Sequence, residues 1–155
     1  METKDYRDRV GKYHQIPLNI VPKKRESAHG IYFKENKVLL VKPTWANRWE
    51  FPGGGREKKE SLGVALEREF KEETGSEIIS FEKLPLYSLT TQFYADDINE
   101  YFNSQMNFFK IIEIRKGDKK ARDLKEIRKV KEVSISELNN KNMHPLHLRI
   151  LKKLT

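Results

Sequence analysis

Cysteine is absent from the 155 residues of this chain, and so is any long apolar run. Without thiols the protein can form neither disulfides nor thiolate metal sites. No stretch approaches the roughly 18 consecutive apolar residues of a membrane-spanning helix. The first fifteen residues, METKDYRDRVGKYHQ, are charged and lack the apolar core of a signal peptide. These absences predict a cytoplasmic protein that does not span a membrane.

Negative charge is the scarcer sign, because 31 Lys and Arg residues outnumber 23 Asp and Glu residues and give a formal net charge of +8. A positive field favours anionic partners such as nucleotides, nucleic acid or an acidic membrane surface, and it does not choose among them. At this length the chain is most simply one domain with room for a substantial core.

Hydrophobic patterning divides the chain into short strands and two helices. We expect strands at 28–33, 37–42, 48–51, within 77–95, at 105–114 and at 127–133. One helix is expected over 61–75, with Ser61 as its N-cap, and another over 145–154, beginning with Pro145. Because strands and helices do not alternate regularly, the pattern favours an α+β fold with a mixed sheet.

Two segments give weaker signals. Residues 1–26 include IPLNIVPKKRES, which two prolines interrupt and whose KKRE run (23–26) reads as a solvated link. We therefore expect an N-terminal extension at 1–26, packed on or linked to a domain at 27–155. Residues 115–126, RKGDKKARDLKE, are predicted to form a charged loop.

The end of the first helix carries an unexpected charge. Glu69, Glu72 and Glu73 share one helix face, and Gly75 reads as the left-handed residue just past the helix. A helix C-terminus is partly negative, so each acid there costs about 0.3–1 kcal/mol. A solvated acidic face with Arg68 paired to Glu72 is one explanation. A bound divalent cation is the other, since Mg²⁺ prefers hard oxygen ligands.

These acids belong to a longer pattern of fixed spacing. It consists of Gly54, Glu60, Arg68, Glu69, Glu72, Glu73 and Gly75. The pattern resembles the signature of the MutT-like Nudix hydrolases at all seven fixed positions, while Ser76 stands where an aliphatic residue is usual. The resemblance covers roughly residues 27–139, including KVLLVK and RWEFPGGG before the helix.

The resemblance implies a Nudix fold, with a mixed central sheet between helices, and a metal site. Glu69, Glu72 and Glu73 would coordinate Mg²⁺, or Mn²⁺ in its place, and the carbonyl of Gly53 would add a ligand. The implied reaction is attack by water on a diphosphate linkage.

The resemblance also implies supporting residues. Arg68 and Glu60 would pair and orient the metal ligands. Glu69 is one candidate for the base that activates water. Glu126 is another, because many family members carry a further metal-binding acid just before a late strand; an ordinary solvated acid is the alternative.

Substrate contacts are predicted at three positions. Lys42 and Arg48 flank the loop that leads to the signature and are candidates for binding phosphates, with solvated surface as the alternative. Tyr94 lies eighteen residues after Ser76, an interval typical of family members that act on dinucleoside polyphosphates. The four histidines lack the paired spacing of a zinc site and are expected to be structural or exposed.

The sequence therefore predicts a Mg²⁺-dependent hydrolase, with hydrolysis of a nucleoside triphosphate to the monophosphate and pyrophosphate as the leading reaction. A dinucleoside polyphosphate or a capped RNA end stays open as substrate. The rival from another class is a Nudix module that binds nucleotide or RNA without hydrolysis.

Overall fold

The structure is a computed structural model that describes residues 3–117 and 125–155, so residues 118–124 of the predicted charged loop lie outside the described residues. Within those ranges the elements are β1 Thr3–Arg7, β2 Tyr13–Pro17, β3 Lys23–Ile31, β4 Phe33–Lys34, β5 Lys37–Pro43, β6 Gly53–Gly55, α1 Leu62–Thr74, β7 Glu77–Phe81, β8 Tyr87–Ala95, β9 Glu100–Arg115, β10 Ile127–Ser134 and α2 Pro145–Leu154. In this part of the chain, no helix has the length and apolar character needed to cross a bilayer.

The described strands form two sheets. The larger one has the order β2-β1-β8-β9-β3-β6, and β7 pairs with a further part of β9. Strand β3 runs parallel to β9, whereas β8 runs antiparallel to it, so this sheet is mixed. The smaller sheet has the order β10-β5-β4. The mixed sheet and the two helices confirm the predicted α+β class.

The helices cover opposite faces of the larger sheet. Leu66 of α1 packs against Ala28 and Phe109. The next residue back along β9, Phe108, faces the other way and belongs to the core that includes Leu148 of α2. Adjacent residues of a strand point to opposite faces, so β9 serves both cores.

The ends of α1 follow from local signals in the sequence. The Oγ of Ser61 accepts a hydrogen bond from the backbone N–H of Val64 at 3.2 Å. Gly75 ends the helix with φ of 76°, in the left-handed region, and its N–H donates to the carbonyl of Lys71. Both caps are the ones that the sequence predicted.

The expected strand at 48–51 is reduced to isolated bridges, Val41–Glu50 and Trp49–Met143. Trp49 and Phe51 nevertheless lie in the buried core beside α2.

The KKRE run corrects a prediction, because it begins strand β3 instead of forming a solvated link. Residues 23–26 pair in parallel with residues 102–105 of β9. The hydrogen bonds that order this run come from a strand far along the chain, which a local reading cannot detect. Before it, β1 and β2 form a hairpin that joins β8 through the pair Arg7–Phe93. The domain boundary at residue 27 stays a prediction.

We expect Phe70→Ala to destabilise the protein by about 3–5 kcal/mol, because it empties a fully buried site between the helix and the sheet. Urea denaturation measures the change. Val64→Ala is the matched control on the same helix: its side chain is exposed, and the change should stay within about 0.5 kcal/mol. Equal stabilities of the two variants would contradict this packing.

Candidate active site

The signature residues meet where strand β6 lies against helix α1. A Cβ built on Gly54 would lie 2.6 Å from the carboxyl carbon of Glu69. A Cβ on Gly53 would lie 2.2 Å from the carbonyl oxygen of Ala28. Only glycine allows such close approach of the backbone to its neighbours. The glycines thus bring the chain up against the acidic side of the helix.

Arg68 links the acidic residues to one another and to the glycine strand. Its Nε donates to Oε2 of Glu60 at 3.0 Å, and its Nη1 donates to Oε1 of Glu69 at 3.0 Å. Nη1 also lies 3.4 Å from Oε2 of Glu72, and Nη2 donates to the carbonyl of Gly55 at 3.0 Å. The Arg68–Glu72 pair of a solvated acidic face is present, but it is one exposed branch of a larger network.

Arg68 and Glu60 stabilise each other's charged form. The hydrogen bonds from Arg68, helped by the backbone N–H of Glu57, lower the pKa of Glu60 to about 2. The same bond to Glu60 raises the pKa of the Arg68 guanidinium. Both groups therefore stay ionised over the pH range in which enzymes commonly work.

Glu73 is the most deeply buried acid of the signature, at 7% exposure. Its Oε1 accepts a hydrogen bond from the backbone N–H of Gly53 at 2.7 Å. Burial raises the pKa of Glu73 well above its ordinary value, the Gly53 bond opposes that rise, and neighbouring carboxylates add to it. Burial likewise raises the pKa of Glu69, against the influence of Arg68.

Glu126 lies within electrostatic reach of these acids. It immediately precedes β10 and is exposed, and its charge raises the pKa of both Glu69 and Glu73. The charges of Glu72 and Glu126 thus act on Glu69, and those of Glu69 and Glu126 act on Glu73, so the predicted carboxylate ligands lie in one neighbourhood.

Glu50 is a neighbouring acid that the sequence reasoning missed. Its charge raises the pKa of Glu73, and burial raises its own pKa against an ion pair with Arg48, whose Nε lies 3.5 Å from Oε2. A signal was available, because Trp49 and Phe51 face the core and the residue between them must point elsewhere.

The structure places only one of the three predicted substrate residues near the acids. Arg48 pairs with Glu50. The charge of Glu50 acts on Glu73, which belongs to the acidic cluster of Glu69, Glu72, Glu73 and Glu126. The Nζ of Lys42 lies 4.7 Å from the centre of the Trp49 ring, and the ring of Tyr94 stacks on Tyr101 at 4.8 Å. In the described ranges, neither Lys42 nor Tyr94 contacts the carboxylates.

Three of the histidines pack against one another. The ring of His147 lies 4.5 Å from that of His144 and 5.4 Å from that of His29. Burial lowers the pKa of His29 to about 4 and that of His144 to about 3, so both are neutral near pH 7. The Nδ1 of His147 accepts the backbone N–H of Phe51, which gives it a structural role.

The donor set fits a hard divalent cation. Carboxylate oxygens and glycine carbonyls are at hand, which are ligands that Mg²⁺ and Mn²⁺ prefer. Among the described residues no three acids converge as a formed metal cage, because Arg68 holds Glu69 and Glu72 while the Gly53 N–H holds Glu73. Burial raises the pKa values of Glu69 and Glu73 by more than the hydrogen bonds from Arg68 and from the Gly53 N–H lower them.

Comparisons with known proteins bear on the family and on the fold. A sequence model of the NUDIX domain matches residues 23–154. A comparison with curated proteins found no match. The fold is similar to that of a MutT Nudix hydrolase from Burkholderia pseudomallei, with 17% identity, a TM-score of 0.68, and coverage of 86% of this chain and 99% of that one.

Two further solved structures are similar at 20% identity. A MutT protein from Bacillus halodurans has a TM-score of 0.63, with coverage of 83% of this chain and 80% of that one. A Nudix hydrolase from Nitrosomonas europaea has a TM-score of 0.60, with coverage of 85% and 88%. The domain match spans most of the chain and the solved structures share its fold, so this chain belongs to the Nudix hydrolases, a family of enzymes that act on the diphosphate bonds of nucleotide-like compounds.

Proposed function

We propose that this protein is a Mg²⁺-dependent hydrolase whose leading substrate is a nucleoside triphosphate, with the monophosphate and pyrophosphate as products. We also propose that it acts in the cytoplasm, in keeping with the lack of cysteine. The observation that carries the proposal is the group of acids beside the glycine strand, in which Glu73 accepts the N–H of Gly53, Glu69 faces Gly54, and burial raises the pKa of both. Perturbed carboxylates of this kind are typical of functional sites.

The proposed ligands are Glu69, Glu72 and Glu73, with the carbonyl of Gly53. Mg²⁺, when bound there, would neutralise charge on the diphosphate oxygens and lower the pKa of the attacking water. The burial of Glu73 favours this role, because none of the described residues pairs with it as a cation and such a buried carboxylate gains most from a dication.

Residues of the protein itself orient the metal ligands and take the proton of the attacking water. Arg68, held by Glu60, fixes the carboxylates of Glu69 and Glu72 from the side of the helix. Glu69 and Glu126 are the two candidates for taking the proton of the attacking water.

Glu73→Gln and, separately, Glu72→Gln should reduce Mg²⁺-stimulated product release by more than the roughly 10–100-fold that loss of a supporting group costs, because each removes a charged ligand. The assay uses the common nucleoside triphosphates, a dinucleoside polyphosphate and capped RNA, with Mg²⁺ or Mn²⁺, and identifies products by mass.

The matched control for these two variants is Glu67→Gln, which removes an exposed acid of the same helix and should keep full activity. Wild-type turnover by both site variants on a good substrate would refute the metal site. RNA binding that ignores Mg²⁺, with no product from any substrate, would favour the non-catalytic alternative.

Glu73→Gln should also raise the melting temperature of the metal-free protein, by an amount that grows with pH. Because burial raises the pKa of Glu73 in the folded state, ionisation above the unfolded value near 4.5 favours unfolding. The glutamine still accepts the Gly53 hydrogen bond without carrying charge. At a pH below 4.5 both side chains are neutral, and the two proteins should melt together.

Saturating Mg²⁺ should reverse the order of the melting temperatures, because only the wild type gains the full binding energy of the ion. Thermal melts between pH 4 and pH 8.5, with EDTA or Mg²⁺, make the measurement. If Glu73→Gln is less stable than the wild type in EDTA at pH 8, the destabilisation that we assign to ionised Glu73 is contradicted.

A further inference from the structure

Arg25 is a cation beside the glycine strand that the proposed chemistry leaves unused. A Cβ on Gly55 would lie 3.2 Å from both Nε and Nη2 of Arg25. The preceding residue, Gly54, faces the carboxylate of Glu69 instead. Consecutive residues of a strand face opposite sides. The Arg25 guanidinium and the acidic cluster therefore lie on the two sides of one extended segment, β6.

Two aromatic rings support the guanidinium. Its Cζ lies 5.8 Å from the centre of the Phe93 ring and 5.9 Å from that of Phe102. These two residues are directly opposite each other on β8 and β9. Stacked contacts with aromatic faces hold an arginine in place while leaving its N–H groups free to bind.

Arg25 differs from the other arginines near the site in having no anion beside it. Arg68 pairs with Glu60, and both Arg48 and Arg56 have carboxylates at 3.5 Å. Within residues 3–117 and 125–155, the side chain of Arg25 forms neither an ion pair nor a hydrogen bond, and its backbone pairs with β9. A half-buried guanidinium with five unused donors is suited to an incoming anion.

We propose that Arg25 is a specificity-determining residue, which binds a substrate phosphate that the acidic cluster does not hold. The inference rests on the proposed function, because it assigns a further part of the same substrate. Two parallel N–H groups of a guanidinium match two phosphate oxygens, and the two rings help to hold the guanidinium in place. The site then selects nucleosides with three or more consecutive phosphates over diphosphates joined to an uncharged group.

The test is calorimetric titration, in Mg²⁺, with α,β-methylene analogues of nucleoside tri- and diphosphates carrying adenine or guanine. Loss of a charge-assisted hydrogen bond predicts roughly 10–100-fold weaker binding of the triphosphate analogues by Arg25→Ala, and a smaller change for the diphosphates. Arg25→Lys should recover part of the loss, because the charge returns without the fork. In turnover, KM should rise more than kcat falls.

Arg115→Ala is the matched control, because it removes the same charge from an exposed arginine paired with Glu77. It should bind both analogues as the wild type does. Arg25→Gln, which keeps a polar side chain of similar thickness, replaces the alanine variant if that one melts at a lower temperature than the wild type.

Unchanged binding by Arg25→Ala would overturn the assignment, and so would equal weakening for diphosphates and triphosphates. If the loss of affinity in Arg25→Ala depends on the nucleobase and not on the number of phosphates, Arg25 contacts the base, and the assignment is also overturned. Because the analogues are not cleaved, binding that depends on Arg25 without turnover of any natural substrate would contradict the proposed hydrolysis alone. Turnover that ignores Arg25 would contradict this inference alone.

Discussion

The guanidinium of Arg68 is the interaction on which the arrangement of the site depends. It contacts Glu60 before the helix, Glu69 and Glu72 on the helix, and the carbonyl of Gly55 on the sheet edge. Three structural elements are thereby fastened at one side chain. Without it, neighbouring carboxylates would repel one another at a partly buried position, where such repulsion is only weakly screened.

The acids bring a cost that the fold tolerates at this place. The negative end of the helix, the burial of Glu73 and the nearby charges of Glu50 and Glu126 all disfavour the ionised form of Glu73. Natural proteins concentrate such conflicts at functional sites, where a ligand resolves them. The conflict visible in the sequence as misplaced charge is visible in the structure as raised pKa values.

The sequence was most informative where the determinants are local. Ser61, Gly75 and Pro145 bound the two helices because capping depends on a few neighbouring residues. The fixed spacing of the signature gave the acidic cluster for a similar reason, since one helix and the loop before it carry those residues.

The features that were missed depend on distant partners. The first half of β3, with Arg25 on it, is ordered by β9, and the hairpin of β1 and β2 is attached through β8. Glu50 was overlooked because a short segment held by isolated bridges gives little periodic signal. Its proximity to Glu73 emerges only when the sheet and the helix are seen together.

The parallel pairing of β3 with β9 has a consequence for the order in which this protein acquires its site. Strand β6 pairs with β3, and β3 with a partner that begins only at Glu100. Pairings that close long loops form slowly, and synthesis delivers the N-terminal part first. A growing chain therefore contains the whole signature by Gly75 well before it can hold the glycine strand in place. The last third of the polypeptide is therefore needed to complete the site, although the signature residues themselves are synthesised earlier.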